Sequence, residues 1–266
     1  WPAEGWGRRT FIMGILNVTP DSFSDGGRYD GPESALRRAR EMQGAGADFI
    51  DVGAESTRPG AEEVSEEIEW ERLEPVLDAL SGQLEVPISV DTYKPGVAEK
   101  ALGAGASIAN DIFGFQKDSK MAEVVASSGA GVVLMHNSRG EEIEGDLIAA
   151  VLRFFEESLV VAADAGILPE RIVLDPGIGF GKTVAQNLEL IRRLGDLREL
   201  GFPLLLGASR KSVIGKTLNL PVEQRLEGTL ATTVAGVAGG VDVVRVHDIG
   251  PNLKAARMAD AIYRHE

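Results

Sequence analysis

The chain has 266 residues, no cysteine, three histidines and a formal charge of −14, from 27 Lys and Arg against 41 Asp and Glu. Without cysteine, disulfides and thiolate metal or iron–sulfur sites are excluded, and the acidic balance speaks against a nucleic-acid or anionic-membrane partner while leaving room for a small anionic substrate at a local cationic cluster. No apolar run approaches the roughly 20 residues of a membrane span and no leader pattern is read at the start, so the cytoplasm is the expected location.

Along the chain, short β-branched runs alternate with stretches of helical spacing. A strand is predicted at Phe11–Leu16 and a helix at Glu33–Ala45, then a strand at Asp48–Val52 and a helix at Glu66–Leu80. The strand Pro87–Asp91 precedes a short helix at Pro95–Leu102, and Ser107–Asn110 precedes another at Ser119–Ser127. Gly131–His136 leads to the long helix Leu147–Ala165, and Arg171–Asp175 to Ala185–Leu194. Pro203–Gly207 and Asp242–His247 are the last strands, with helices at Gln224–Ala238 and Pro251–Arg264. The strand runs are almost continuously apolar, as parallel strands covered on both faces are. Eight such repeats predict an α/β fold, a single (β/α)8 TIM barrel, and no shift in composition marks a second domain within residues 1–266. The phrases Gly44-Ala45-Gly46-Ala47 and Gly103-Ala104-Gly105-Ala106 echo each other before the second and fourth strands and read as helix-to-strand turns.

An open doubly wound sheet is the alternative architecture, but its dinucleotide fingerprint is missing. In Gly177-Ile178-Gly179-Phe180-Gly181-Lys182-Thr183, Lys182 stands where the third glycine belongs, and Pro176 stands where a P-loop needs its first.

In a barrel, the C-terminal ends of the strands carry the chemistry. Here the strands run in order into Asn17; Glu55, Ser56, Thr57 and Arg58; Asp91; Asn110 and Asp111; His136 and Asn137; Asp175; Ser209, Arg210 and Lys211; and Arg245 with His247. Taken singly, each has a structural reading. An Asp after a strand often caps a helix, Asn17 can shape a turn with Pro20, and Arg245 and His247 can fill a barrel; His136 is open between the two readings. Together, Asp91, Asp175, Lys211 and Arg245 are too many charges for one apolar mouth, where each would be costly if unpaired. The loop Asn17–Gly27, with Phe23 among polar residues, and the loop Glu55–Gly60 have the make-up of lids.

At these residues the chain resembles the dihydropteroate synthases. The stretch from Phe11 through Asp25 resembles the family's first signature, and Asp51-Val52-Gly53-Ala54-Glu55-Ser56-Thr57-Arg58-Pro59-Gly60 its second, with Ala54 where Gly is more usual. Ser89–Thr92, Asn110–Ile112, Met135–Asn137, Asp175–Thr183, Ser209–Ser212 and Arg245–Asp248 follow in order, so the match spans nearly the whole chain.

The resemblance implies an enzyme of folate biosynthesis, a transferase that condenses a dihydropterin-CH2-pyrophosphate with 4-aminobenzoate and releases pyrophosphate. It implies a pterin seat of Asp91, Asn110, Ile112, Met135, Asp175, Gly207, Lys211 and Arg245, and a pyrophosphate site of Asn17, Arg58, Arg245 and His247. Asn17 would also be the protein ligand of Mg2+. The 4-aminobenzoate would lie among Phe23, Thr57, Pro59, Phe180, Lys211 and Ser212, and sulfonamides would inhibit as its mimics. Asp25, Arg58, Asp91, Asp175, Lys211 and Arg245 are the expected catalytic residues, acting through a dissociative mechanism. A homodimer through the late helices is also implied. The runner-up, a pterin-binding methyltransferase barrel, would share the Asp and Asn contacts but has no use for a pyrophosphate cluster or the Phe23 loop.

Overall fold

The computed structural model describes residues 5–18, 31–56, 63–138, 143 and 145–264. Within them the strands are β1 Phe11–Asn17, β2 Phe49–Gly53, β3 Ile88–Asp91, β4 Ile108–Asp111, β5 Gly131–Met135, β6 Ile172–Asp175, β7 Leu205–Leu206 and β8 Val243–Val246. The helices are α1 Gly31–Gly44, α2 Glu66–Leu80, α3 Pro95–Gly103, α4 Lys120–Ser128, α5 Leu147–Asp164, α6 Val184–Arg192, α7 Ser212–Leu218, α8 Leu226–Ala238 and α9 Ile249–Tyr263. All strand pairs are parallel, in the order β6-β5-β4-β3-β2-β1-β8-β7, and a single bridge between Leu174 and Leu204 joins the two ends into a barrel. The chain thus adopts the (β/α)8 fold expected from its alternation.

Three details depart from the sequence reading. The seventh strand shrinks to two residues, because Pro203 just ahead of it has no N–H for a ladder and the chain turns away after Leu206. The short helix α7 follows it and is not among the eight helices read from periodicity; seven residues with Gly215 inside give little periodicity to read. Gly44 and Gly103 are the last helical residues of α1 and α3, while the turns themselves fall at Gly46 and Gly105, with φ of 96° and 111°.

Two apolar layers follow from the alternation of side chains along each strand. Outward residues such as Ile12, Ile50, Val90, Val132 and Leu174 pack beneath the helices in the main core. Inward residues Phe11, Met13, Phe49, Ile108, Val133, Val173, Leu205 and Val243 fill the lower barrel as a separate apolar plug. The N-terminal face is tied by carboxylates: Asp48 accepts the Ile12 N–H at 2.8 Å, and Asp242 accepts those of Gly7 and Leu204 at 3.0 and 3.1 Å. Among the described residues no helix is long and apolar enough to cross a membrane.

Candidate active site

One step up each strand from the apolar plug, the inward positions change character. The register carries Asp51 of β2 beside Ser89 of β3, Asp91 beside Asn110 of β4, and Met135 of β5 beside Asp175 of β6. Arg245 of β8 lies beside Met13. A charged layer therefore sits on an apolar floor, on the C-terminal side of the barrel.

Arg245 organises this layer. Its Nε donates to Asp51 Oδ2 and its Nη2 to Asp91 Oδ2, both at 2.6 Å. Asp51 Oδ2 also accepts Asn110 Nδ2 at 3.2 Å, which leaves the Asn110 carbonyl oxygen as an acceptor for other groups. Asp51 and Asp91 each keep a second oxygen, Oδ1, that is buried with no hydrogen-bond partner among the described residues. Buried acceptors of that kind call for a donor from elsewhere. Burial pushes the Asp91 carboxyl up to about 7 even though Arg245 beside it works in the opposite direction, and Asp51 adds to the rise.

Asp175 stands across the barrel. Its Oδ1 accepts the Gly177 N–H at 2.8 Å, so the turn-capping role is real, but Oδ2 faces the open space above Gly207. A methyl group placed on Gly207 would lie 3.6 Å from that oxygen and 3.7 Å from Lys211 Nζ, so both groups converge on one point. Burial raises the Asp175 carboxyl, opposed chiefly by Lys211. Lys211 is lowered to about 8 by burial, partly offset by Asp175, and its Nζ donates to the Ile178 carbonyl at 2.6 Å while lying 4.6 Å above the Phe180 ring. Ile112 and Met135 are buried together with Tyr93, and Phe113 and Phe180 complete an apolar wall.

The loop bearing Phe180 is held by Lys182, a residue to which the sequence reading gave no role of its own. Its Nζ donates to the carbonyls of His136, Gly177 and Phe180 at 3.3, 3.0 and 3.1 Å. Burial lowers it to about 7. Any Cβ at Gly177 would lie 1.9 Å from the His136 oxygen, so this close approach admits only glycine.

At the rim, Asn17 is the one exposed residue of β1. Ser209 meets His247, with Oγ 3.0 Å from Nδ1. Ser212 is exposed and opens α7.

The structure therefore brings Asp91, Asn110, Asp175, Gly207, Lys211 and Arg245 to one layer, with Ile112, Met135 and Phe180 as its wall and Asn17, His247 and Ser212 at or near the rim. Phe23, Asp25, Thr57, Arg58 and Pro59 lie outside the described residues. Asp111, Glu55 and His136, also at strand ends, are held in structural roles. Asp111 accepts the N–H groups of Phe113 and Phe115 at 2.9 and 2.7 Å and shapes a turn. Glu55 takes Lys94 and Tyr93, and Lys94 reaches on to the buried Glu69 at 2.5 Å. His136 is buried edge-on against Phe154 and lowered to about 3 by that burial, so it is a neutral core residue. Asp51 was missed as a site residue; the only signal was an acid at an inward position of an otherwise apolar strand.

Known proteins share this fold and much of this sequence. Residues 13–247 match the family described as pterin binding enzymes. The chain is 53% identical over 259 residues to the dihydropteroate synthase of Clostridium beijerinckii, covering 97% of this chain and 96% of that one. It is similar to the crystal structure of a dihydropteroate synthase from Clostridium difficile in the presence of pteroic acid, with a TM-score of 0.96, 52% identity and coverage of 98% and 100%. It is also similar to the Yersinia pestis dihydropteroate synthase solved with a sulfonamide drug, with a TM-score of 0.89, 42% identity and coverage of 96% and 95%.

Proposed function

The chain belongs to the dihydropteroate synthases of the pterin-binding enzyme family, and from that premise we propose that its charged barrel layer drives the family's condensation by a dissociative route. The reaction joins a dihydropterin-CH2-pyrophosphate to 4-aminobenzoate and releases pyrophosphate, in folate biosynthesis. The observation that carries the reading is the layer itself: buried carboxylates and cations on an apolar floor, with two carboxylate oxygens that lack donors among the described residues.

The pterin ring presents an edge of N–H donors and a carbonyl. Asp175 Oδ2 and the Asn110 carbonyl oxygen suit the donors, Lys211 suits a ring heteroatom, and Met135 and Ile112 suit its faces. Asp51, Asp91 and Asp175 oppose Arg245 and Lys211, three negative groups against two positive, so the ionised layer carries one net negative charge beneath the ring. That charge favours the cation left when the CH2–O bond breaks. The departing pyrophosphate would meet His247, Arg58 and the outer part of Arg245. The neutral aniline nitrogen of 4-aminobenzoate, held against Phe180 and Lys211 with Phe23, Thr57 and Pro59, then bonds to the CH2 carbon and loses a proton. Its carboxylate would reach Ser212, and Asp25 would close over the site. No enzyme nucleophile is needed.

Asn17 suits magnesium: a single exposed amide oxygen at the mouth fits an ion that keeps waters and phosphate oxygens around it. When bound, magnesium supplies positive charge to the pyrophosphate oxygens. Sulfonamides would occupy the 4-aminobenzoate position, as the Yersinia relative's complex suggests. Exposed Leu218, Val222 and Met258 on the late segments support a homodimer, and the cytoplasm is the compartment that fits a folate-pathway enzyme.

Positional isotope exchange tests the route. With 18O in the bridging position and 4-aminobenzoate withheld, the label should scramble into non-bridging phosphate positions as pyrophosphate departs and returns. Release that depends wholly on 4-aminobenzoate, without scrambling, would point to direct displacement.

The seat can be tested separately. Gly207 has no left-handed φ, and a methyl group there meets nothing closer than 3.6 Å. Gly207→Ala should therefore keep or slightly raise the melting temperature. The same methyl fills the floor of the seat, and overpacking of about 1–3 kcal/mol corresponds to a roughly 5- to 150-fold loss of pterin affinity. Unchanged pterin titration would move the ring off Gly207.

A further inference from the structure

The loops after β7 and β8 are clasped together beside the mouth. Arg210 donates through Nε and Nη2 to the two oxygens of Asp248, each at 2.8 Å. Arg210 itself has a φ of 55°, a left-handed conformation uncommon for a residue with a side chain. Its neighbours hold it there: its N–H donates to Thr229 Oγ1 at 3.0 Å, and Arg225 Nη1 donates to its carbonyl at 2.9 Å. Strain kept in place by this many partners marks a position that the fold over-determines. Its effect is to set Ser209, buried to 4% exposure, directly against His247.

Ser209 Oγ makes two contacts with the same residue. The His247 backbone N–H donates to it at 3.2 Å, and the His247 ring Nδ1 lies at 3.0 Å. A backbone N–H can only donate, so it occupies one lone pair of the oxygen. The hydroxyl has one proton to place, a buried hydroxyl proton needs an acceptor, and Nδ1 is the acceptor the described residues supply.

We infer that Ser209 is a positioning residue for the condensation: by donating to Nδ1 of His247 it keeps the ring proton on Nε2, so that the histidine offers an N–H donor to the pyrophosphate. The alternatives close in on the same result. In the imidazolium, Nδ1–H would donate to Oγ at the same cost to the Ser209 proton, and Nε2 would still carry its proton. Only the neutral Nδ1–H tautomer would turn a lone pair towards the anion, and that tautomer strands the Ser209 proton. The alternation along β8 places His247 on the same inward face as Arg245, one step nearer the mouth. A histidine beside an anion is useful only while the nitrogen nearest the anion bears hydrogen. The inference rests on the reading of His247 as a pyrophosphate ligand; the tautomer itself does not.

The test uses the whole chain with 15N-labelled histidine, of which there are only three, His136, His247 and His265. Loss of signals in His247→Asn assigns the ring. At about pH 8.5, well above the ordinary imidazole pKa, the wild-type ring should show protonated Nε2 and unprotonated Nδ1. Ser209→Ala should shift it to a mixture of tautomers and weaken binding of inorganic pyrophosphate with magnesium by about 3- to 10-fold, the range of one hydrogen bond; Ser209→Thr should restore both. A wild-type ring protonated at Nδ1 would overturn the inference, as would a Ser209→Ala protein with tautomer and pyrophosphate affinity unchanged. The wild-type spectrum decides even if the alanine variant fails to fold. If His247→Asn binds pyrophosphate as tightly as wild type, the assignment of His247 to that site fails, a separate outcome from the tautomer.

Discussion

Asp175→Asn is expected to lower pterin affinity by about 30- to 1000-fold, roughly 2–4 kcal/mol, the cost of losing a charge-assisted pair and leaving a buried group unmatched. Affinity for 4-aminobenzoate should change far less. The geometry says why a near-isosteric change is so damaging. One carboxylate oxygen is already committed to the Gly177 N–H, and the amide will turn its carbonyl oxygen to keep that bond. The NH2 group then faces the space above Gly207, where the proposed pterin edge also brings a donor. If Asp175 served only its turn, the amide would satisfy Gly177, binding would be unchanged, and any loss would be a stability change of about 1 kcal/mol. Pterin titration and a thermal melt on one variant separate the two. A protein that melts early yet binds pterin normally would remove Asp175 from the seat.

Arg245→Leu should be the most destabilising change in the barrel. Among the described residues it leaves Asp51 and Asp91 with no cation bonded to them, and removing one partner from a buried ionic group costs about 3–5 kcal/mol. The pH dependence has a definite sign. Asp91 is already raised to about 7 from its ordinary 3.8. A carboxyl with a raised folded pKa binds more protons in the native state than in the unfolded one, so stability falls as pH rises between the two values. In the wild type this fall from Asp91 should run from about 4 to 7 and then level off. Without Arg245 the folded pKa climbs further, and the fall should continue above 7. Denaturant unfolding at pH 5 and pH 8 should show the variant's deficit growing at the higher pH. A deficit that is equal at both would mean that the carboxylates do not depend on this guanidinium.

The barrel was legible because eight apolar runs recur with helical spacing between them, and a closed parallel sheet buries such runs on both faces. The ring of site residues was legible for a related reason: strand ends are where an apolar run stops, so Asp91, Asn110 and Asp175 announce themselves, and Arg245 stands out as a cation between Val244 and Val246. Asp51 did not, because it sits inside Phe49–Gly53 with apolar neighbours. What makes it part of the site is contact with Asn110, 59 positions away, and Arg245, 194 positions away. Nor does local sequence tell His136 from His247. Both follow a strand, but one turns into a neutral core against Phe154 and the other meets Ser209. Glu55, at the end of the second strand, was taken up by Lys94 and Tyr93 for similar reasons: the partner that decides a charge's role comes from another strand's loop.

The single bridge between Leu174 and Leu204 gives the barrel one weak seam, and the proposed seat straddles it. Asp175 belongs to one side; Gly207 and Lys211 belong to the other. A pterin held by both sides would act as extra rungs where the backbone ladder has almost none. Occupancy and closure of the cylinder then become two descriptions of one equilibrium, and mass action on the ligand also tightens the cylinder itself. A competitor that contacts only the β7 side would fill the pocket and still leave this joint slack.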